Sequence, residues 1–423
     1  MFIQKIFYGV LLLLIGISAV SSDALALSGR IRHLPVFPGA EGFGTHTPAG
    51  RGGKIIKVTN LNDSGPGSLR AAIDTDASRT IVFEVSGTIK LLAPIYLEYP
   101  FVTIAGQTAP SPGINIRDGF LAVRTHDVLV QHLRFRVGDE GEKRSVRDGI
   151  NIQYPKTYNV VFDHCSISWG IDENLGINSG VKNITISNCI ISEGLDDSYN
   201  KKGPHSKAIL VGEKCTNLSL IRNLVAHHMD RHPNLKGGSE LVSVNNLWYN
   251  GGYRWVSISD PDNNGPQKYT DIGNVYLKGN NTRADAIFKI HKSVKEGTEI
   301  YIVDTVHPGR LLINGAPFNP IVSIPPAWHP SIRVMSAKEV EQWVVAHAGA
   351  RPADRDAVDV RIVNEVVTKT GRIINSPSDV GGWPELSENY RQFTIPLNPQ
   401  VDSDGDGYTN IEEVLHNMAA KVE

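Results

Sequence analysis

The sequence predicts an all-β chain wound as a parallel β-helix with a short helical C-terminal extension, and three observations predict it. From Lys54 to about Tyr276 the chain is a succession of short β-rich runs separated by Gly, Asn and Asp, among them VTIAGQ, VLVQHLRFRVG, VVFDHCSISWG, ITISNCIISEG and LVSVNNLWYNG. Aligning six such runs brings a polar residue to one place: His132, His164, Asn188, Asn223, Asn246 and Asn274. The gaps are about 32, 24, 35, 23 and 28 residues, the size of a solenoid coil. Composition agrees, since 40 Gly and 24 Pro in 423 residues suit many turns and few long helices. A β-sandwich would also use short strands, but with more hairpin signals and tighter alternation.

The elements follow in chain order. Lys5 precedes an almost wholly apolar run from Phe7 to Val20, and Ala24-Leu25-Ala26 supplies a small-x-small cleavage site. Residues 1–26 therefore read as a secretory signal peptide whose apolar run is too short to span a bilayer. No later run is apolar for long enough to span, so the processed chain is expected to be secreted, extracellular or periplasmic, and free of the membrane. Residues 27–330 form the solenoid. Equivalent positions of successive coils stack, and a stacked Asn or His can satisfy the buried backbone of its turn. Cys165 and Cys189 each follow a ladder residue and are expected to stack as buried thiols rather than as a disulfide. With Cys215 they make three cysteines outside any CxxC context, and they give no zinc motif. Beyond Pro330 the pattern turns helical. Ser336 to Glu339 is a capping box opening a helix through Ala346, and a second helix runs from about Ala353 to Val367, ending near Gly371. Residues 331–398 are expected to pack on the solenoid, and residues 399–423 carry a metal loop and tail.

That loop runs from Asp402 to Glu413. Asp402, Asp404, Asp406 and Asn410 stand at positions 1, 3, 5 and 9 of an EF-hand-like calcium loop. Gly407 permits the sharp turn, Tyr408 offers its carbonyl, and Glu413 takes the bidentate twelfth position. The usual entering helix is missing, since PLNPQV precedes the loop. Within the solenoid, Asp148, Asp163, Asp172, Glu173 and Asn174 fall on successive coils. Carboxylates stacked in this way repel one another unless a cation such as Ca²⁺ neutralises them. Lys207, Arg231 and Lys236 follow on the next coils. A row of cations beside a row of acids is suited to a polyanion bridged by a metal. The formal net charge of -2 excludes a globally basic nucleic-acid binder but leaves an anionic substrate open. Glu193, Asp196 and Asp197 form a further carboxylate cluster of the kind that glycoside hydrolysis uses.

These motifs together resemble the calcium-dependent pectate lyases of polysaccharide lyase family 1, over residues 37 to about 279. FPGAEGFGTHTPAGRGG, VTNLNDSGPGSLRAAI and IAGQTAPSPGINI look like the bacterial secreted members. The resemblance implies a right-handed parallel β-helix and a monomeric enzyme acting on an acidic polysaccharide, polygalacturonate. It implies that Asp148 and Asp172 bind calcium, with the third acidic ligand falling at Gly176, where Glu173 or Asn174 would compensate. The family's VWIDH appears as Val160-Val161-Phe162-Asp163-His164. Lys207 matches the substrate-binding lysine in its K-x-I-L-x-G setting. The family's RxPxxR becomes Arg231-His232-Pro233-Asn234-Leu235-Lys236, so Arg231 inherits the role of base. Lys236 keeps the second charge without bidentate geometry. His232 is a further substrate-binding residue or an alternative base.

The implied chemistry is β-elimination. Calcium and the lysines neutralise the uronate carboxylate, Arg231 removes the C5 proton, and the C4–O bond breaks to leave a 4,5-unsaturated product. Two other readings stay open on sequence alone. One is a polygalacturonase-like hydrolase using Asp172, Asp196 and Asp197. The other is a non-catalytic β-helical polyuronate-binding protein.

Overall fold

The strands recur in threes. Val128–Gln131, Leu133–Arg136 and Ile150–Ile152 make one coil, and Tyr158–Asp163, Ser166–Ser168 and Glu173–Ile177 make the next. The computed structural model describes residues 34–140 and 147–423; the expected signal peptide lies outside the described residues. Each strand pairs in parallel with its counterpart one coil away. Three sheets result, a first of ten strands (Lys54–Val58 to Glu299–Val303), a second of nine (Ile95–Leu97 to Arg310–Asn314) and a third of eight (Gly87–Lys90 to Val275–Leu277). This is the right-handed parallel β-helix.

The core is a set of columns. Val128, Val160, Ile184, Leu218, Leu241 and Tyr269 are in register on consecutive strands of the first sheet, and all are buried. Each such side chain contributes roughly 1.5–3 kcal/mol on leaving water, and a parallel sheet must be covered on its inner face. The inner face is therefore apolar, mostly Val, Ile and Leu with aromatic rings such as Phe162 and Tyr269, whatever the coil length between strands.

The polar ladder is real, but it is two ladders. The corner between the first and third sheets is made by two residues per coil. The first of them adopts positive φ: His132, His164, Asn188, Arg222, Asn245 and Gly273, at 56°, 48°, 52°, 54°, 55° and 63°. The second points inward: Leu133, Cys165, Cys189, Asn223, Asn246 and Asn274, in register. The six-residue alignment drawn from sequence thus crosses from the first column to the second between Asn188 and Asn223. Asn suits both places, accepting a left-handed backbone in one and bonding buried backbone in the other. In the inward column the Asn246 amide donates to the Leu220 carbonyl (2.9 Å) and to Asn274 Oδ1 (3.0 Å), while its oxygen accepts from the Asn223 N–H (2.9 Å). The thiols continue this column upward. The Cys165 N–H donates to Cys189 Sγ at 3.3 Å, and all three cysteines are free and buried, as the sequence implied for the first two.

Two C-terminal helices lie against the outer face of the third sheet. Ala337–His347 opens on the expected Ser336–Glu339 capping box. Ala357–Thr368 starts four residues later than expected, because Pro352–Asp354 forms a 3₁₀ turn and Asp356 caps the helix. Val340, Val344, Ile362 and Val366 pack on Trp169, Ile190, Leu224 and Leu247. Arg136, wholly buried, donates to Asp356 (2.7 Å) and Asp359 (3.0 Å), so the contact is ionic as well as apolar. The last four residues of the Asp402–Glu413 segment open a third C-terminal helix, Asn410–Val422, with Ile411 and Leu415 seated on Val82 and Ala105 of the first sheet. No helix among the described residues is long and apolar enough to cross a membrane.

Asn246→Ala would leave the buried Asn223 N–H without the Asn246 oxygen and remove the amide's bond to the Leu220 carbonyl. Unfolding in urea is expected to show a loss of about 3 kcal/mol, on the scale of one to two unsatisfied groups.

Candidate functional site

Alternation along the second sheet sends every other residue outward. One outward lane is Ala122, Asn151, Gly176, Leu210 and Asn234, in register on successive strands. Two residues on along each coil, a second lane holds Arg124, Gln153, Asn178, Gly212 and Lys236, tied by backbone bonds such as Asn178 N–H to Ile152 O and Lys236 N–H to Val211 O. Glycines and amides give this face a shallow floor. Beside it opens a cleft of about 390 Å³ whose wall includes Asp148, Asp172, Glu173, Lys202, Arg231 and Lys236.

The acids come together as the sequence suggested. Asp148 accepts from the Asn151 amide (2.5 Å) and from the Glu173 N–H (3.3 Å). Its burial, with Asp172 nearby, pushes its carboxyl up to about 7 against the pull of Asn151, Lys202 and Arg231. Asp172 is the opposite case. Burial would raise it, but His205 (2.5 Å) and Lys202 (3.1 Å) hold it down at about 2. Glu173 is ion-paired with Arg231. Ligand atoms of Asp172, Glu173 and His205 lie within 4.8 Å of one another.

The place of the third ligand has a physical explanation. A Cβ at Gly176 would stand 2.8 Å from Asp148 Oδ2, 3.1 Å from the Asn178 amide and 3.3 Å from the Asn151 amide. Those two amides occupy the space that a side chain at Gly176 would need. Asn174 does not compensate. It is buried, bonding the Gly170 N–H (2.7 Å), the Ser192 carbonyl (2.7 Å) and His228 (2.8 Å). Asp163 leaves the acidic row too. It sits at the corner of the first sheet against His164, Ser187 and Asn188.

The basic residues divide. Arg231 sits at φ 69° with its guanidinium in the cleft, and burial lowers its pKa while Asp172 and Asp148 resist and Arg254 assists. Lys236 lines the same cleft, 3.6 Å from Glu213. Lys207 pairs in register with Glu173 and donates to Asp230 at 3.3 Å. His232 is a correction: the ring is fully buried against Trp255 and His228, with Nδ1 on the Arg254 carbonyl, and burial pushes it down to about 4. It packs the interior because the residue after a left-handed corner points inward, and it reaches neither substrate nor proton. Sequence reasoning missed Asp230, whose buried carboxylate accepts from Lys207, Arg254 and the Arg231 N–H (2.8 Å). It also missed Lys202 and His205, whose only signal was their place one short loop before Lys207.

Two carboxylates of the Glu193, Asp196 and Asp197 cluster already have protein partners. Glu193 is sealed between Arg361 (2.8 Å) and the Trp169 N–H (2.9 Å), and Asp196 accepts from the Ser206 N–H (3.2 Å). In the C-terminal loop, Asp402, Asp404 and Asp406 converge, their ligand atoms within 4.8 Å. Glu413 faces them, its carboxyl pushed up by burial and by Asp404 and Asp406. Asn410 donates its amide to the Leu397 and Asn398 carbonyls (3.0 Å each). The Tyr408 ring is buried beside Arg51 and His416.

No protein-family model matches the chain. Among curated proteins, it is 34% identical over 384 residues to "probable pectate lyase C" of Aspergillus flavus, covering 88% of this chain and 85% of that one. The protein of the same name from Aspergillus terreus is 33% identical over 395 residues, covering 90% and 88%. Among solved structures, the cedar pollen allergen jun a 1 aligns with a TM-score of 0.59 at 19% identity, over 73% of this chain and 92% of that one. A Bacillus subtilis pectate lyase variant aligns with a TM-score of 0.51 at 14% identity, over 75% and 98%. These two likenesses speak for the fold.

Asp230 is the hub that the basic row rests on. Asp230→Ala leaves Lys207 and Arg254 unpaired, and because both are partly exposed the expected cost is about 2 kcal/mol in urea unfolding, below the full penalty of a buried broken pair.

Proposed function

The chain belongs to the pectate lyase family, and on that premise we propose that it cleaves de-esterified polygalacturonate by calcium-assisted β-elimination, as a secreted monomer. The observation that carries this reading is the single cleft in which Asp148, Asp172 and Glu173 face Arg231 and Lys236. The donor set suits calcium: hard oxygen ligands, crowded enough that burial and Asp172 drive Asp148 toward its neutral form without a cation. Asp148, Asp172 and Glu173 would hold the ion. Bound there, calcium would neutralise the uronate carboxylate and so acidify the proton at C5.

The chain's own groups do the rest. Lys236 adds positive charge to the cleft wall, and Lys207 stands beside Glu173 on the neighbouring strand. Glu173 pairs with Arg231 and would also be one of the residues holding the cation, so it keeps the guanidinium at the edge of that site. Arg231, its pKa lowered by burial, takes the C5 proton. The C5–H electron pair becomes the C4=C5 double bond, and the C4–O pair leaves on the glycosidic oxygen, which solvent protonates. No water attacks carbon. A hydrolase needs two carboxylates facing one sugar, whereas Glu193 is bound to Arg361 and Asp172 to His205 and Lys202. The apolar run Phe7–Val20 with Ala24-Leu25-Ala26 supports export.

Polygalacturonate incubated with the protein is expected to gain ultraviolet absorbance from the conjugated product, and to stop gaining it with a chelator. New reducing ends without absorbance would overturn elimination. Arg231→Ala should lose at least ~10²-fold in kcat while still binding the polymer. With Arg231 as base, kcat/KM should climb as pH rises through the alkaline range, because only the deprotonated guanidine accepts the proton. Calcium at the Asp402–Glu413 loop is a separate, structural matter. Asp406→Asn should remove part of the calcium-induced rise in melting temperature and leave turnover at saturating calcium intact.

A further inference from the structure

We propose that His132, His164 and Glu423 form a binding site for a divalent transition-metal cation of the zinc type. The site lies at the corner between the first and third sheets, whereas the candidate active site lies on the second. Its starting point is a mismatch of lone pairs. His132 is fully buried, and its Nδ1 lies 2.7 Å from the Ala350 carbonyl, which can only accept. Nδ1 therefore carries the hydrogen, and Nε2 presents a lone pair. That Nε2 has no hydrogen-bond partner and looks at Glu423 Oε1 across 3.5 Å. Two acceptors face each other where a positive centre belongs.

The distances fit a metal better than a hydrogen bond. His164 Nδ1 lies 3.7 Å from the same Glu423 oxygen. Both separations exceed an ordinary N–H···O bond, about 2.9–3.0 Å. Both are near the ligand–ligand edge of a tetrahedron built on Zn–N and Zn–O bonds, roughly 3.3 Å. One ligand atom from each of the three residues falls within 4.8 Å of the others. The Nδ1–H···O=C bond of His132 is the kind of outer-shell contact that fixes a ligating imidazole. The two rings stack 13° from parallel at 5.3 Å, so an ion in the plane of His132 requires His164 to turn about its Cβ–Cγ bond. A hollow of about 540 Å³ beside His164 and Glu423 leaves room for that turn and for water as the fourth ligand. Asp163, now 2.8 Å from His164 Nδ1, keeps its bonds from Ser187 and Asn188 when His164 moves. Imidazole selects transition metals over calcium, which keeps this site chemically distinct from the carboxylate groups elsewhere.

The test uses the full chain stripped with chelator, dialysed, and titrated with zinc by calorimetry and elemental analysis in excess calcium. About one equivalent of zinc is expected to remain. Cobalt in its place should give a visible spectrum of tetrahedral intensity. His132→Asn should lose this equivalent, and Glu423→Gln should weaken it at least tenfold. His205→Ala, which touches the other histidine-containing acidic group, should retain it. Asn tolerates the left-handed backbone at this corner, as Asn188 and Asn245 do in the same column, so the melting temperature of His132→Asn separates loss of metal from loss of fold. Zinc retained by His132→Asn, zinc displaced by calcium, or loss confined to His205→Ala would overturn the proposal. So would a stripped protein that takes up no zinc, which would leave a bridging water between the two acceptors.

Discussion

Parallel strands about 4.8 Å apart in fixed register govern every other feature of this protein. Register decides which residues become neighbours, and in a solenoid neighbours are one coil apart in sequence. Glu173 stands beside Lys207 because their strands pair. Asp148 meets the Glu173 N–H because the corner of one coil lies under the corner of the next. The sequence distances between these residues are 34 and 25, yet their geometry is that of adjacent rungs. A one-residue slip would turn the outward lane of Asn151 and Gly176 into the core and bring Ile150 and Leu175 to the surface. The apolar columns prevent this, so the same burial that stabilises the coil also aims the groups of the cleft.

That arrangement carries an electrostatic cost which the cleft handles asymmetrically. Asp172 is held ionised by His205 and Lys202, and Asp230 by Lys207 and Arg254, so each has cations of its own. Asp148 has the Asn151 amide, the Glu173 N–H and more distant cations, and burial with Asp172 nearby pushes its carboxyl up. The cleft therefore contains one carboxylate that lacks a counter-charge and one arginine that burial pushes toward deprotonation. Elimination asks for the same two things: a place for a cation and a base. Neither is a property of a residue type. Each arises from what the register puts next to it.

This is also why the sequence disclosed some parts and hid others. The strand runs, the approximate coil length, both helices on the third sheet and the convergence of Asp402, Asp404 and Asp406 were legible, because their signals are local. Asp148, Asp172, Glu173, Arg231 and Lys236 were legible as a set because the motifs around them are specific. His232 was misjudged, since being adjacent to Arg231 in sequence says nothing about facing. One residue beyond a left-handed corner, the chain points its side chain into the core. Asn174 was misjudged because it is the next residue along a strand from Glu173 and so faces the opposite way. The ladder was misjoined at Asn188 and Asn223 because Asn satisfies both columns of a corner, and text alignment cannot distinguish them. Asp230 and His205 stood one residue before Arg231 and two before Lys207, and only three-dimensional register gives them their roles.

The C-terminal helix shows how far the logic of register extends. Its first turn carries Glu412, which bonds Arg51 (2.9 Å), and Glu413, which faces the acidic loop. Its N-terminal half seats Ile411 and Leu415 on the first sheet. At its far end, Glu423 meets the stacked imidazoles of His132 and His164. A rise of 1.5 Å per residue makes this helix about 20 Å long, which spans roughly four coils. One rigid rod thus touches the loop of three aspartates at one end and a pair of histidines on consecutive coils at the other. Neutralising the loop removes repulsion among Asp404, Asp406 and Glu413, which favours the helix start. That start fixes where Glu423 falls. Packing along the whole rod, from the Glu412–Arg51 pair through Ile411 and Leu415, is therefore what sets Glu423 over the histidines, rather than any long-range charge effect, since salt screens charges that far apart.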